Sequence, residues 1–280
     1  MTARFLVQVI DNNTPMLGRY ITITQGIVDE IERGDRDRCV GLMKAIVSTY
    51  KKIESKEFDF IRLFNGHKFY LNLNPNNSDK ALEEIQKDFM LHGEYEPYTT
   101  KLIERIVKEG DIAVDVGASI GYFTLLLAKQ VGKTGKVFSI EPTKNQFDYL
   151  LKNIEINGYR DRIISENIAA WDKDEIAEIQ CNAGNPKKLQ GIPIDNIIKE
   201  PINFIKIDTD GSEPHVLKGL IETIERSPKL KMVIEYYPKY IENLGGNPQE
   251  VMDILNKYFT LEKIEGDYGG EYWNYYCVRK

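Results

Sequence analysis

Residues 111–124 read DIAVDVGASIGYFT. Ile112 to Val116 is a short run of small and β-branched residues, broken only by Asp115, as expected of a strand buried on both faces. Gly117 and Gly121 then turn the chain, and YFTLLLAKQV (122–131) carries apolar residues at helical spacing. A strand, a glycine turn and an immediate helix form the first half of a βαβ unit. Glycines in such a turn let the backbone approach a ligand, and the helix start offers N–H groups with no intrahelical partner. A dinucleotide turn would read G-x-G-x-x-G, but here the second glycine is missing and Ser119 stands in its place.

The same alternation continues outward. GKVFSIE (135–141) reads as a second strand, and KNQFDYLLKNIEIN (144–157) as an amphipathic helix ended by Gly158. RIISENIAA (162–170), INFIKID (202–208) and KLKMVIEYY (229–237) supply three more strands. EPHVLKGLIETIER (213–226) and PQEVMDILNKY (248–258) are helices between or after them. Strands alternating with helices give an α/β fold with a mostly parallel sheet covered on both faces. The end differs, because FTLEKIEG (259–266) and EYWNYYCVRK (271–280) leave no room for a helix and must form an antiparallel hairpin.

The first 92 residues read as a cap of helices and a β-hairpin, followed by a ligand-binding domain over 93–280. GIVDEIERGDRDRCVGLMKAIVSTYKKIES (26–55) and KALEEIQKDFMLHG (80–93) are helical in pattern. FDFIRLFNGHKFYLNLN (58–74) places Asn65-Gly66 between alternating apolar residues, the pattern of a tight hairpin. The cap is also a candidate surface for homo-oligomer formation.

Composition excludes several classes. A net charge of −6 with signs mixed along 280 residues gives no strong attraction to nucleic acid or an anionic membrane. Cys39, Cys181 and Cys277 are odd in number and far apart, so neither a disulfide framework nor a zinc site is expected. MTARFLVQVI (1–10) is too short, and too broken by Gln8, for a signal segment, and no run is long enough to span a membrane. The expectation is a soluble, cytoplasmic protein.

The acids carry the chemistry. In FIKIDTDGSEPHVLKG (204–219), Asp208, Asp210 and Glu213 arrive where a buried strand stops, with no partner charge among them. In an open parallel sheet, ligands bind beyond the carboxyl ends of the strands at the switch point. Asp208 therefore faces a site, whereas Asp210, Ser212 and Glu213 also suit the start of a helix with Pro214 in its first turn. Asp115 before the glycine turn and Glu141 at the end of the second strand favour a nucleoside, since a carboxylate there accepts both ribose hydroxyls. Glu235 ends the fifth strand near Asp208, with a structural hydrogen bond as its plain alternative. His215 could be a general base but reads more readily as an ordinary helix residue near the surface, His67 and His92 lie in the N-terminal third away from these acids in the sequence, and the aromatics of YWNYYC (272–277) read as hairpin packing rather than a stacking platform. No metal is expected from a His/Cys set, although Asp208, Asp210 and Glu235 could hold a hard cation such as Mg²⁺.

Four motifs in order, DVGASIGYFT, IEPTKNQFDYLLKNIEIN, PIDNII and IKIDTDGSEPHVLKG with VIEYYP, resemble the FkbM-type family of S-adenosylmethionine-dependent methyltransferases. The resemblance covers about residues 93–240, with GEYEPYTTKLIERIVKEGD (93–111) similar to the segment before the first strand. It implies a class I methyltransferase fold, Rossmann-like, with a mostly parallel seven-stranded sheet and a C-terminal antiparallel hairpin. It assigns S-adenosyl-L-methionine as cofactor, with Gly117, Ala118, Ser119 and Gly121 at its methionine end. Asp115 would hold that loop in shape or accept from the cofactor's amino group, Glu141 beside Pro142 would take the ribose, and Asn167, Ile168 and Ala169 would border the adenine. Glu96 would lie near the cofactor's entry and Asp208 near its ammonium. Where the family carries Glu in D-x-E-G, this chain has Asp210, which keeps the charge and shortens the reach. The implied activity is O-methylation of a hydroxyl on a small molecule or glycan, with Asp208, Asp210 and Glu235 catalytic. N-methylation of protein or RNA, or S-adenosylmethionine binding without catalysis, are the alternatives.

Overall fold

The computed structural model describes residues 59–64, 66–72, 95–179, 187–266 and 272–280. The chain divides into two units, Met1–Ser78 and Asp79–Lys280. The first contains a hairpin of β1 (Asp59–Phe64) and β2 (His67–Asn72), with Phe64 paired to His67. Gly66 turns it at a φ of 80°, a left-handed conformation that the Asn-Gly pair was expected to supply. The helices expected over 26–55 and 80–93 lie outside the described residues.

The second unit opens with α1 (Pro97–Ile106) and β3 (Ile112–Val116), then α2 (Tyr122–Val131) and β4 (Lys136–Ile140). It continues through α3 (Lys144–Asn157), β5 (Ile163–Glu166), β6 (Ala169–Ala170), β7 (Glu175–Ile179) and β8 (Lys187–Ile192). Next come α4 (Ile194–Ile197), β9 (Phe204–Ile207), α5 (Glu213–Lys218), α6 (Ile221–Arg226) and β10 (Lys231–Tyr236). The last elements are α7 (Pro238–Asn243), α8 (Pro248–Tyr258), β11 (Phe259–Ile264) and β12 (Trp273–Arg279).

Seven strands form one sheet in the order β5-β4-β3-β9-β10-β12-β11. The β3–β4, β4–β5, β3–β9 and β9–β10 pairs are parallel, and β12 runs antiparallel to both β10 and β11. The expected architecture is present, including the terminal hairpin. The chain builds outward from β3 to β5 and then returns to place β9 on the other side of β3. That reversal is the switch point, and the loops after β3 and β9 leave the sheet side by side there.

Local chemistry sets the boundaries. α3 stops because Gly158 adopts φ 69° and its N–H closes on Ile154 and Glu155 carbonyls. α8 begins where the Asn247 side chain accepts from Gln249 N, with Pro248 in the first turn. β3, β9 and β10 bury Val114, Val116, Ile205, Ile207, Met232 and Ile234 in one core. Each such side chain contributes roughly 1.5–3 kcal/mol over its exposed state, so the sheet that carries the loops is a firm base.

Two sequence expectations change. RIISENIAA is two strands: β5 edges the main sheet, whereas β6 joins β8 and β7 in a separate three-stranded sheet. The helix expected over 213–226 is broken into α5 and α6. The break falls at Gly219, where a side chain would start 1.9 Å from the Trp171 carbonyl oxygen, so glycine lets the two backbones meet this closely. PIDNII is structural, because Asp195 accepts from the N–H groups of Glu222 and Thr223, the Thr223 hydroxyl and Arg226, fastening the start of α6.

Candidate functional site

The glycine turn is held from within. Gly117 N and Ala118 N both donate to the Ile140 carbonyl at the end of β4, at 2.9 and 3.0 Å. Ser119 takes φ 49°, and its N–H donates to Glu141 Oε2 at 2.9 Å. Glu141 Oε1 accepts from Thr143 N at 2.7 Å, so one carboxylate ties the turn to the start of α3. Asn167 Nδ2 donates to the carbonyls of Glu141 and Pro142, bringing the β5–β6 connection to the same place. Ile168 packs on the core, and Ala169 is buried at the start of β6. Burial pushes Glu141 up to about 7, against the two N–H groups that pull it down.

Packing within the protein gives the glycines a reason of its own. A Cβ on Gly117, at φ 80°, would lie 1.8 Å from the Asp208 carbonyl oxygen. A Cβ on Gly121, at φ 99°, would meet Leu150 Cδ1 at 2.7 Å. Both missing side chains are occupied by the protein itself, so these residues pack the loop before they serve any ligand. Asp115 is 2% exposed and accepts from Thr124 Oγ1 of α2 at 2.6 Å. Burial raises it to about 6, partly offset by Lys206.

The opposite lip is acidic. Glu213 Oε1 accepts from Thr209 N, Thr209 Oγ1 and Gly211 N, folding the turn that carries Asp208 and Asp210. Its other oxygen, Oε2, is buried and meets no hydrogen-bond partner. Asp210 sits at φ 51° with Gly211 at φ 93° beside it, conformations in which Asp and Gly are tolerated better than most residues. Glu235 at the end of β10 is pushed well above the usual carboxylate range by burial first, then by Asp208, Glu213 and Asp210. Among the described residues, no group of three His, Cys, Asp or Glu side chains is arranged to hold a metal ion.

Lys206 was not singled out in the sequence and lies at the centre. It is 2% exposed, donates to Asp208 Oδ2 at 2.6 Å, and stands 3.8 Å from Glu96 Oε1. Glu96, itself buried at φ 43°, also accepts from Asn274 Nδ2 of β12 at 2.8 Å. Glu96 thus belongs to this charge cluster and anchors the start of α1 to the sheet. The sequence signal was present: Lys206 is a cation inside the otherwise apolar run FIKI, and it shares a strand face with Asp208 two residues on.

His215 is more than an ordinary helix residue. Its ring stacks on Trp171 at 3.8 Å between centroids and meets Asp172 Oδ1 at 3.1 Å. Of the aromatics placed in hairpin packing, Tyr272 instead stacks on Tyr237, which also stacks on Tyr240, just past Glu235.

With this geometry in place, the comparisons decide the family. The methyltransferase FkbM domain matches residues 115–260, just over half of the chain. The chain belongs to the FkbM methyltransferase family. It is also 33% identical over 78 residues to an uncharacterised protein of Methanocaldococcus jannaschii, covering 28% of this chain and 29% of that one. The FkbM fold is further similar to the O-methyltransferase from Bacillus cereus in complex with SAH, at TM-score 0.47 and 19% identity over 72% of this chain and 92% of that one. A SAM-dependent methyltransferase from Aquifex aeolicus gives TM-score 0.44 and 20% identity over 71% and 98%. Likeness at this level says nothing of the acceptor. Among the described residues no helix is long and apolar enough to cross a membrane.

Proposed function

We propose that this FkbM methyltransferase binds S-adenosylmethionine at the switch point between β3 and β9 and methylates a hydroxyl of a small molecule or glycan. The observation that carries this reading is the Glu141–Ser119 closure. A buried carboxylate accepts two backbone N–H groups and a bond from the Thr143 side chain, which still leaves it acceptor capacity for a further donor. Beside it, Ser119 Oγ is buried with no hydrogen-bond partner, an unanswered polar atom that a bound ligand would satisfy. These residues fit the cofactor: Glu141 and Pro142 for the ribose, the 117–121 turn with Ser119 Oγ for the amino-acid end, Asn167, Ile168 and Ala169 along the adenine, and Asp208 for the ammonium. Glu96 and Asp115 stand behind Asp208 and support it through Lys206.

When bound, the cofactor supplies a methyl group made electrophilic by its sulfonium. The chain's own part is to hold the acceptor and take its proton. Asp208 is committed to the Lys206 ammonium, which leaves Glu235 as the better base: its carboxylate is raised by burial and by three neighbouring acids. Asp210 would orient the acceptor from the same lip. The residues before 93 are read as a separate N-terminal region and a candidate surface for self-association, in a cytoplasmic protein.

Calorimetry with S-adenosylhomocysteine tests the cofactor, and transfer of labelled methyl groups into fractionated small molecules, glycans, RNA and protein tests the acceptor. Uptake of label by a glycan or small-molecule fraction is expected. Binding without transfer to any fraction would leave a sensor, and failure to bind would remove the reading altogether.

A further inference from the structure

Lys206 occupies the third position of β9, with Ile205 and Ile207 fully buried on either side. An ammonium in such a place is stable only if carboxylates replace its water. Four elements present groups to it. β3 places Asp115 directly across from it in the parallel register, and the start of α1 brings Glu96. The end of its own strand brings Asp208, and α2 lays the Phe123 ring 4.3 Å from Nζ, centroid to nitrogen. Glu235 of β10 also feels its charge.

Of the Asp208 oxygens, Oδ2 is the one engaged by Lys206, and the side chain is 22% exposed. Asp208 is thus gripped through one oxygen, while its side chain stays partly exposed. Glu96, Asp115 and Asp208 set three carboxylates around one ammonium, an arrangement that can accept a second.

We propose that Lys206 is the positioning residue of the cofactor side: it fixes Asp208 so that the outer oxygen meets a ligand ammonium, and it keeps the acids behind Asp208 compatible with that ligand. The proposal rests on the cofactor reading above, but its charge arm can be read without any ligand. Burial pulls the Lys206 ammonium down, yet Asp208, Glu96 and Asp115 outweigh it and hold the group above the ordinary lysine value. In return, Lys206 is the largest influence lowering Asp115.

The test compares Lys206→Met, Lys206→Arg, Asp208→Asn and the Lys206→Met/Asp208→Asn double variant. Carbon-detected NMR of the Asp115 carboxyl in ligand-free protein should show its midpoint, about 6 in the parent, move upward in Lys206→Met and return towards the parent in Lys206→Arg. S-adenosylhomocysteine affinity should fall by about 10- to 100-fold in Lys206→Met, and adding Lys206→Met to Asp208→Asn should cost little more. A folded Lys206→Met with the parent's Asp115 midpoint and affinity overturns the proposal, as does a further tenfold or greater loss in the double variant. If Lys206→Met does not fold, the double variant against Asp208→Asn alone decides it in the same way. A shifted Asp115 midpoint in a protein whose parent form takes up no S-adenosylhomocysteine would sink the cofactor reading while leaving the charge arm intact.

Discussion

The two lips of the switch point solve the same problem differently. On the β3–β4 lip the turn is fastened by backbone N–H groups, with Ile140 O and the Glu141 carboxylate as their acceptors. On the β9–β10 lip, Asp208, Asp210 and Glu213 all raise Glu235, and Lys206 answers Asp208 with a direct ion pair. On the proposed reading, the first lip would use the same atoms for fold and ligand. The second holds mutual repulsion within a firm scaffold, as a site does when reactivity is kept at some cost in stability. Substitutions on the first lip should therefore damage folding and binding together, and those on the second should separate turnover from stability.

The largest effect is expected at Gly117. Gly117→Val would force a side chain onto the Asp208 carbonyl and strain a left-handed residue, for a combined loss of roughly 3–5 kcal/mol in denaturant unfolding. From the sequence alone, one would expect lost binding in an intact fold. Intact stability would return the turn to a purely ligand-facing role.

Glu235→Gln probes the other lip. Turnover should fall by about 10²–10⁴-fold if this residue takes the acceptor's proton. Thermal unfolding should show equal or higher stability, because a buried acid among acids has been neutralised. Lower stability with full turnover would reverse the comparison.

Glu141→Ala should have a smaller effect than either. Loss of a charged acceptor should weaken S-adenosylhomocysteine by about 1.5–3 kcal/mol in calorimetry. It should also lower stability, since the N–H groups of Ser119 and Thr143 lose their partner.

pH sharpens the contrast further. Asp115 and Glu141, raised to about 6 and about 7, bind protons in the folded chain before they would in the unfolded one. Their contribution therefore favours folding increasingly as pH falls from about 7 towards 4. A ligand ammonium favours the ionised forms, so S-adenosylhomocysteine affinity should move the opposite way and rise with pH across that window. Parallel trends in the two measurements would contradict this.

The smallest effect is expected for Asp210→Glu, which restores the family's usual residue. Asp tolerates φ 51° better than Glu, so the variant should lose up to about 1 kcal/mol on unfolding.

Legibility from sequence followed the same physics. The helices over 122–131 and 144–157 were readable to the residue because apolar spacing and glycine boundaries are local signals. The mostly parallel sheet and its terminal antiparallel hairpin followed from the alternation and from the lack of room for a last helix. β7 and β8 were not readable, because KKLQGI is polar and becomes a strand only by pairing with neighbours. In the site, Asp115, Glu141 and Asp208 stood at strand ends and could be counted. Lys206 was hidden inside a strand, and its meaning depends on Glu96, 110 positions earlier in the chain. The Gly117 clash was likewise invisible, since it needs the return of β9 beside β3.

The placement of β12 has a consequence for how the domain is made. It follows β11 in the chain but lies between β11 and β10, and its Asn274 reaches back to Glu96 and Thr99 near the start of the unit. On a ribosome, β10 and β11 must both wait with unpaired edges until residues 273–279 emerge. A nascent chain at that stage exposes two strand edges at once, and long-range pairing of this kind is slow. Loss of the last few residues should therefore show first as aggregation during synthesis, ahead of any change in the chemistry of the finished protein.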